Sequence, residues 1–444
     1  MKSFTCLLSL VAALSSSATV KTEDLQGRID AAWRNGGGEV VIEKGVHRLN
    51  PIRLRSGVRL RLACGAHVYG NADCEAYVGA LAGDKVEPVS VGTLKSVSSE
   101  DLSARHQYAL FYAFRARDIE VVGEEGSFVN GVNCPDPKGA EGYRGPHTFW
   151  FACSTNVTLR NVCVQESGDY AYRFVNCRNV LLRNVSAEGG HDGVHFDLCD
   201  GVRVLDSSLF TGDDSVAGSG CTDVVVSNCV LNSACSPFRI GGRDVLITDC
   251  CVTGPAKHPH RWTLTREEKL RGASTDEVKG RHTVGAFFQG YTGDVAHKDF
   301  APGNIVVRNT MVENAERFML SVSGLPGALW QDGRGISDIT FENVRATGLG
   351  LPAVAVAKSD CPMRIVLRNC SFSFRTPQSC AFFGTNVTVV NEGVRLDNAA
   401  ILHEDRKVSY DDVPDFPSWR IETNEQRAKW GLPPLKSDVF VIPQ

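Results

Sequence analysis

The chain has 444 residues and a formal net charge of −4, with no long basic run, so nucleic acid is not an expected partner. No segment is apolar for long enough to cross a bilayer, so no membrane partner is expected either. Length alone would allow two or three domains, but repeat folds run longer as a single unit.

The first element is MKSFTCLLSLVAALSSSATVKTED. A lysine, an apolar stretch from Phe4 to Leu14 and small residues up to Ala18 read as a signal peptide over residues 1–18. The mature chain is therefore expected to be secreted or periplasmic. Of the 16 cysteines, Cys6 lies in this leader. The remainder is odd, so the cysteines cannot all pair within the chain.

Residues 19–60 read as an N-terminal cap and first strands. Thr22 can N-cap a helix with Leu25, Ile29, Ala32 and Trp33 on one face, ended by Gly36. GGGEVVIEKGVHRL, from Gly36, then opens the first strands. Such a helix would cover the open end of a stacked core.

Residues 61–400 carry one repeating pattern. It reads NVTLRN from Asn156, NVLLRN from Asn179, GVRVLD from Gly201, DVVVSN from Asp223 and DVLITD from Asp244. It returns as NIVVRN from Asn304, DITFEN from Asp338 and RIVLRN from Arg364. A period of about 22 residues signals stacked supersecondary units. Each unit holds apolar residues in alternation, closed by Asn, Asp or Gly, which tolerate the left-handed backbone of tight turns. No helix-length segment lies between units, so each strand must stack parallel on its equivalent in the next coil. The expected fold is an all-β, right-handed parallel β-helix. Cys177, Cys199 and Cys221 fall in one column, and Cys229, Cys250 and Cys370 each follow a turn Asn or Asp. Buried free cysteine behaves as a small apolar residue, so these are expected to stack in the core without forming disulfides. A loop inserted at about 254–285 interrupts the pattern; Thr265 and Glu268 would cap a short helix there, ending at Gly272. Residues 401–444 form a C-terminal tail bearing Trp419 and Trp430.

The period makes residue columns predictable, with neighbouring strands about 4.8 Å apart. In DGVHFDLC, Val194, Phe196 and Leu198 should point inward and His195 and Asp197 outward. One outward column reads Arg173, His195, Ala217, Arg239. The column at the preceding bend reads Tyr170, Asp192, Asp214, Ser236, and beside it runs Asp169, His191, Asp213, Cys235. Asp192, Asp213 and Asp214 thus converge on one exposed patch flanked by His195, Arg173 and Arg239. Three acids this close cannot all keep ordinary pKa values, and one should stay protonated near neutral pH. A protonated acid beside an ionised base is what glycoside hydrolysis requires.

These residues resemble glycoside hydrolase family 28, the polygalacturonase family of pectin-degrading β-helices. RGPHTFWFACSTNVTLRNV, from Arg144, is similar to the family's entry coil. GHDGVHFDLCDGVRVLDSSLFTGDDSVA, from Gly190, is similar to the segment with its Asn-Thr-Asp-Gly and Gly-Asp-Asp motifs. The resemblance implies inverting hydrolysis of a poly- or oligosaccharide, with Asp192 and Asp214 activating water and Asp213 as general acid. Substrate contacts are expected from His195, Arg239, Arg173, His191 and Ser236, which lie in the columns around the acids. Three motif positions depart from the family. Its Gly-His-Gly falls on CSPFRIGG, with Ser236 at the His position. Its Arg-Ile-Lys falls near GAFFQGY, where Phe287 and Gln289 stand, and its Asn-Thr-Asp becomes Gly190-His191-Asp192. The carboxylates carry over and the galacturonate-reading cations do not. Arg239 and Arg173 could replace them from another column, or the sugar is neutral or differently charged.

Plainer readings stand beside these. Gly-Asp-Asp is common at β-helix turns, His195 could be solvated, and Arg239 could serve only to neutralise the aspartates. Lys257, His258, His260, Arg261 and Trp262 read as an ordinary solvated loop, and Asp197 as structural. Two other functions fit the same fold: a polysaccharide lyase with Arg239 as candidate base, and a non-catalytic carbohydrate-binding β-helix. No cofactor or metal is expected, although Asp192, His191, His195, Asp213 and Asp214 are suitable ligand types. The chain is expected to act as a monomer.

Overall fold

The computed structural model describes residues 21–78, 89–91, 94–97, 108–139, 142–260, 284–292, 300–325, 331, 333–409 and 412–413. The expected leader, the helix over 265–272, Arg261, Trp262 and most of the C-terminal tail lie outside the described residues.

Alternation and turn chemistry produce the coils. The strands Asp200–Leu205, Val216–Ser227 and Phe238–Thr248 carry the repeat, with Val202, Val224 and Val245 in register. Most repeats open and close on a left-handed residue: φ is 53° at Asn179 and 52° at Asn184, 53° at Asp223 and 54° at Asn228. Asn and Asp tolerate this region because a short polar side chain can bond locally. Here they bond along the coil axis, Asn184 Nδ2 donating to Asn161 Oδ1 at 2.8 Å and Asn228 Nδ2 to Asp206 Oδ1 at 2.9 Å.

Three strands make one coil, as in Val194–Asp197, Asp200–Leu205 and Ser208–Thr211, and each pairs in parallel with its equivalent in the next. Among the described residues the result is a 32-stranded sheet wound into a right-handed parallel β-helix. Where the repeat is interrupted, the coil closes across the gap: Val245 pairs with Ile305, and Asn304 Nδ2 donates to Asp244 Oδ1 at 2.7 Å. The interior is a continuous stack. Phe149, Tyr172, Val194, Val216, Phe238 and Phe288 follow one another in register, all fully buried. Gly218 interrupts the neighbouring file because the Phe196 ring lies over it; a Cβ there would stand 2.3 Å from that ring.

The fifteen described cysteines are free thiols. Cys177, Cys199 and Cys221 are buried in one column, where the Cys177 and Cys199 amides donate to the next sulfur at 3.4 and 3.2 Å.

Three expectations need correction. The helix Thr22–Arg34 has Lys21, not Thr22, at its N-cap; Thr22 Oγ1 instead accepts from the Asn50 amide. Leu25 and Ile29 are buried as expected, but Trp33 is exposed beneath the Arg55 guanidinium, 4.9 Å from the ring centre. Leu198 does not point inward: it takes the left-handed turn position, with φ at 54°, and Cys199 fills the core in its place.

Candidate functional site

The sheet face formed by Tyr172–Val175, Val194–Asp197, the start of Val216–Ser227, the start of Phe238–Thr248 and Val284–Gly290 builds the floor of the site. Registers place Trp150, Arg173, His195, Ala217, Arg239 and Gln289 in one outward column. The bend before it carries the acids, and backbone bonds tie successive bends together. Ala171 donates to the Asp192 carbonyl at 2.9 Å, Gly193 to that of Asp214 at 2.9 Å, and Ser215 to that of Ser236 at 3.1 Å.

The Gly-Asp-Asp bend is held from beneath. Thr211 Oγ1 and Ser233 Oγ both donate to the Asp213 carbonyl, at 2.8 and 2.6 Å. Glycines at 189 and 190 take φ of 74° and 70°, letting the preceding coil turn tightly before Asp192. Asp192, Asp213 and Asp214 each bring a carboxylate oxygen within 4.8 Å of the others. All three are buried, as is His195, so the expectation of an exposed patch is wrong in detail. The acids sit on the outer face, and the segment that leaves the solenoid after Cys251–Thr253 comes against the Gly-Asp-Asp bend, where His260 Nε2 lies 3.5 Å from Asp213 Oδ1.

Charge partners surround the acids. His195 Nδ1 meets Asp192 Oδ2 at 2.5 Å, and its Nε2 lies 3.3 Å from Asp197 Oδ2. Arg173 reaches the same Asp197 oxygen at 3.3 Å, so Asp197 ties the histidine to the arginine and is part of the site. Arg239 Nη1 lies 3.5 Å from Asp214 Oδ2, while the Ser236 amide donates to Asp214 Oδ1 at 3.1 Å. Aromatic rings frame the column. Tyr170 stacks on His195 at 4.5 Å, and Arg239 lies over Tyr291 at 4.3 Å. Arg144 bonds the Tyr170 hydroxyl at 2.9 Å and lies 3.5 Å from Asp169 and 3.9 Å from Asp213.

These contacts set the proton affinities. Burial, opposed by Arg239 and assisted by Asp192, pushes Asp214 up to about 6. Burial alone would depress His195, but the Asp197 charge and the bond to Asp192 raise it above the usual imidazole value. Burial would raise Asp197, yet His195 and Arg173 hold it below the usual carboxylate range. Burial would lower Arg239, but Asp214 together with Tyr291, Cys235 and Asp192 raises it above the usual guanidinium value.

Other anticipated residues fall as follows. Ser236 is buried and its hydroxyl donates to Gln289 Oε1 at 2.9 Å. His191 is buried with its ring 5.9 Å from Tyr143. Phe287 belongs to the core, whereas Gln289 continues the outward column. His258 and His260 are buried, which corrects their reading as solvated loop residues. The missed members are Arg144, Asp197, His260 and Tyr291. Only Asp197 lies on the periodic strands with a signal in the sequence: it points outward two residues after His195, beside the Arg173–His195 column.

No family model matches the chain. Among curated proteins it is similar to a polygalacturonase from Prunus persica, 25% identical over 251 residues, covering 52% of this chain and 54% of that protein. The chain spans about half the length, or less, of the curated relatives it matches. Among solved structures it is similar to an exopolygalacturonase from Thermotoga maritima, with a TM-score of 0.57 at 14% identity over 86% of this chain and 88% of that one. It is also similar to a family 28 exopolygalacturonase from Yersinia enterocolitica, with a TM-score of 0.56 at 14% identity over 88% of this chain and 76% of that one. These likenesses show the fold: the chain shares the right-handed parallel β-helix of the polygalacturonases it is similar to.

Proposed function

We propose that the chain is an exported glycoside hydrolase acting on a pectic or related polysaccharide, with Asp213 as general acid and Asp192 and Asp214 as the pair that holds and activates water. The observation that carries this reading is the convergence of three carboxylates from two coils beside His195 and Arg239. One water donating to two acceptors at about 2.7 Å can bridge oxygens up to about 5.4 Å apart. The approach of Asp192 and Asp214 within 4.8 Å meets that limit. In the step, the Asp213 O–H bond breaks as its proton passes to the glycosidic oxygen, which leaves the anomeric carbon with the bonding electrons. The water oxygen bonds that carbon and its proton passes to the Asp192–Asp214 pair.

The lyase reading is weaker. A lyase base must accept a proton, and Arg239 is held protonated by its ion pair with Asp214. The spacing of the acids leaves stereochemistry to experiment. An inverting pair is usually about 6.5–9.5 Å apart, and the oxygens here lie within 4.8 Å. We keep single displacement because two acids share the water.

The test is reducing-end release from pectic, rhamnogalacturonan and neutral-glycan oligomers. Asp213→Asn is expected to lose about 10²–10⁴-fold in kcat while its circular dichroism stays that of the parent. Products absorbing in the ultraviolet would instead establish a lyase. NMR of the first-formed anomer should show inversion; retention would require one of the pair to act as nucleophile.

A further inference from the structure

The segment that leaves the solenoid after Cys251–Thr253 is fastened before it reaches the acids. Asn232 Nδ2 donates to the carbonyls of Thr253 and Pro255 at 2.6 and 2.9 Å, and its Oδ1 accepts from the Lys257 amide at 2.7 Å. Lys257 Nζ and His258 Nε2 both reach Glu188 Oε2, at 2.7 and 3.1 Å. The Lys257 ammonium also lies 5.0 Å from the Phe210 ring centre. Glu188, Phe210 and Asn232 are successive members of one column, so three coils hold this short segment. Gly212 then lets the backbones meet: a Cβ at that position would stand 2.6 Å from the Pro259 carbonyl oxygen.

The outcome of this fastening is the position of one side chain. His260 is 2% exposed, and its Nε2 lies 3.5 Å from Asp213 Oδ1. Arg144 approaches the other oxygen of the same carboxyl group at 3.9 Å. The hydroxyl of Ser236, on the bend one coil further, is committed to Gln289 and does not serve Asp213.

We propose that His260 is a positioning residue for Asp213, delivered to the acid by a segment outside the repeat. It fixes the carboxyl group from its Oδ1 side. It also stabilises the carboxylate that remains once the proton has moved to the leaving oxygen, without gaining or losing a proton over the turnover. The inference rests on the reading of Asp213 as general acid. It explains why Asn232, Glu188 and Gly212 are arranged to place residue 260.

The experiment separates the two claims by leaving group. A nitrophenolate departs without a proton, whereas a methoxide does not. The 4-nitrophenyl and methyl glycosides of galacturonic acid, rhamnose and galactose are run with wild type, Asp213→Asn, His260→Ala, His260→Gln and Asn232→Ala. If the inference is right, His260→Ala lowers kcat/KM at least about tenfold more for the methyl than for the nitrophenyl glycoside, a share of what general acid catalysis supplies. His260→Gln recovers most of this difference because its amide N–H can replace Nε2. Asn232→Ala shows the same discrimination at smaller size, which keeps the inference testable should His260→Ala not fold. Discrimination by Asp213→Asn with none by the His260 and Asn232 variants overturns the role of His260 alone. No discrimination by Asp213→Asn overturns the acid assignment beneath it, and no turnover of any pair by wild type overturns both.

Discussion

At the scale of single residues, Asp214 holds opposing pressures that can be moved separately. Burial raises its proton affinity, Arg239 lowers it and Asp192 raises it again, leaving it at about 6. A carboxylate that must be ionised to take a proton from water is inactive below its own pKa. With Asp214 in that role, kcat/KM falls as pH drops through about 6. Arg239→Met removes the cation that holds the value down, so this limb should move to higher pH. A pH profile of kcat/KM for both proteins checks it. A limb falling on the alkaline side of the same pH would mean that Asp214 delivers the proton and that the roles within the cluster are exchanged. His195 works in the opposite sense. Flanked by Asp192 and Asp197, it is held protonated to higher pH than an ordinary imidazole.

At the scale of the element, the unit is a strand closed by a left-handed turn residue, and its energetics sit in that residue. Asn184 is exposed, has φ of 52° and donates to Asn161 Oδ1 at 2.8 Å. Asn184→Ala keeps neither the ladder bond nor a side chain suited to that backbone, whose left-handed form costs roughly 1–2 kcal/mol for an ordinary residue. Asn184→Gly loses only the bond, worth about 0.5–1.5 kcal/mol. Urea denaturation should therefore rank wild type above Gly and Gly above Ala. The same regularity made the fold legible. Asn and Asp at a period of about 22 gave the coil, and the register placed Arg173, His195, Ala217 and Arg239 in one column as the spacing predicts. What lay outside the period was not legible. His260 reaches Asp213 through a segment whose path depends on Asn232 and Glu188 one and three coils away, and no periodic signal encodes such a contact. Leu198 shows the converse. Alternation made it an inward residue, but the turn needed a left-handed position there and Cys199 took the core. Depth was also hidden, because column arithmetic places acids on a face without revealing what comes against them.

At the scale of the molecule, a solenoid is stable only if its ends are closed, since each coil contacts only its neighbours and the terminal coil would expose both core and strand edge. The helix Thr22–Arg34 closes the first end in two ways. Leu25 and Ile29, both fully buried, cover the apolar stack. Gln26 covers the edge: its Oε1 accepts from the Arg53 amide at 2.8 Å and its Nε2 donates to the Arg53 carbonyl at 3.1 Å, so one side-chain amide replaces a missing strand. Arg28 adds a bond to the Val41 carbonyl at 2.7 Å, and Asp30 pairs with Arg55 at 2.7 Å. The two functions are separable by substitution. Leu25→Ala opens a cavity at the end of the core and should cost about 2–5 kcal/mol, read as a lower urea midpoint with the protein still monodisperse. Gln26→Leu preserves apolar cover but removes both Gln26 bonds to the Arg53 amide and carbonyl, at about 0.5–1.5 kcal/mol each. Its distinguishing mark should be concentration-dependent association through the uncovered edge, seen by light scattering behind size exclusion. If Gln26→Leu loses stability but never associates, the edge is protected by something other than this glutamine, and the helix acts only as a plug on the core.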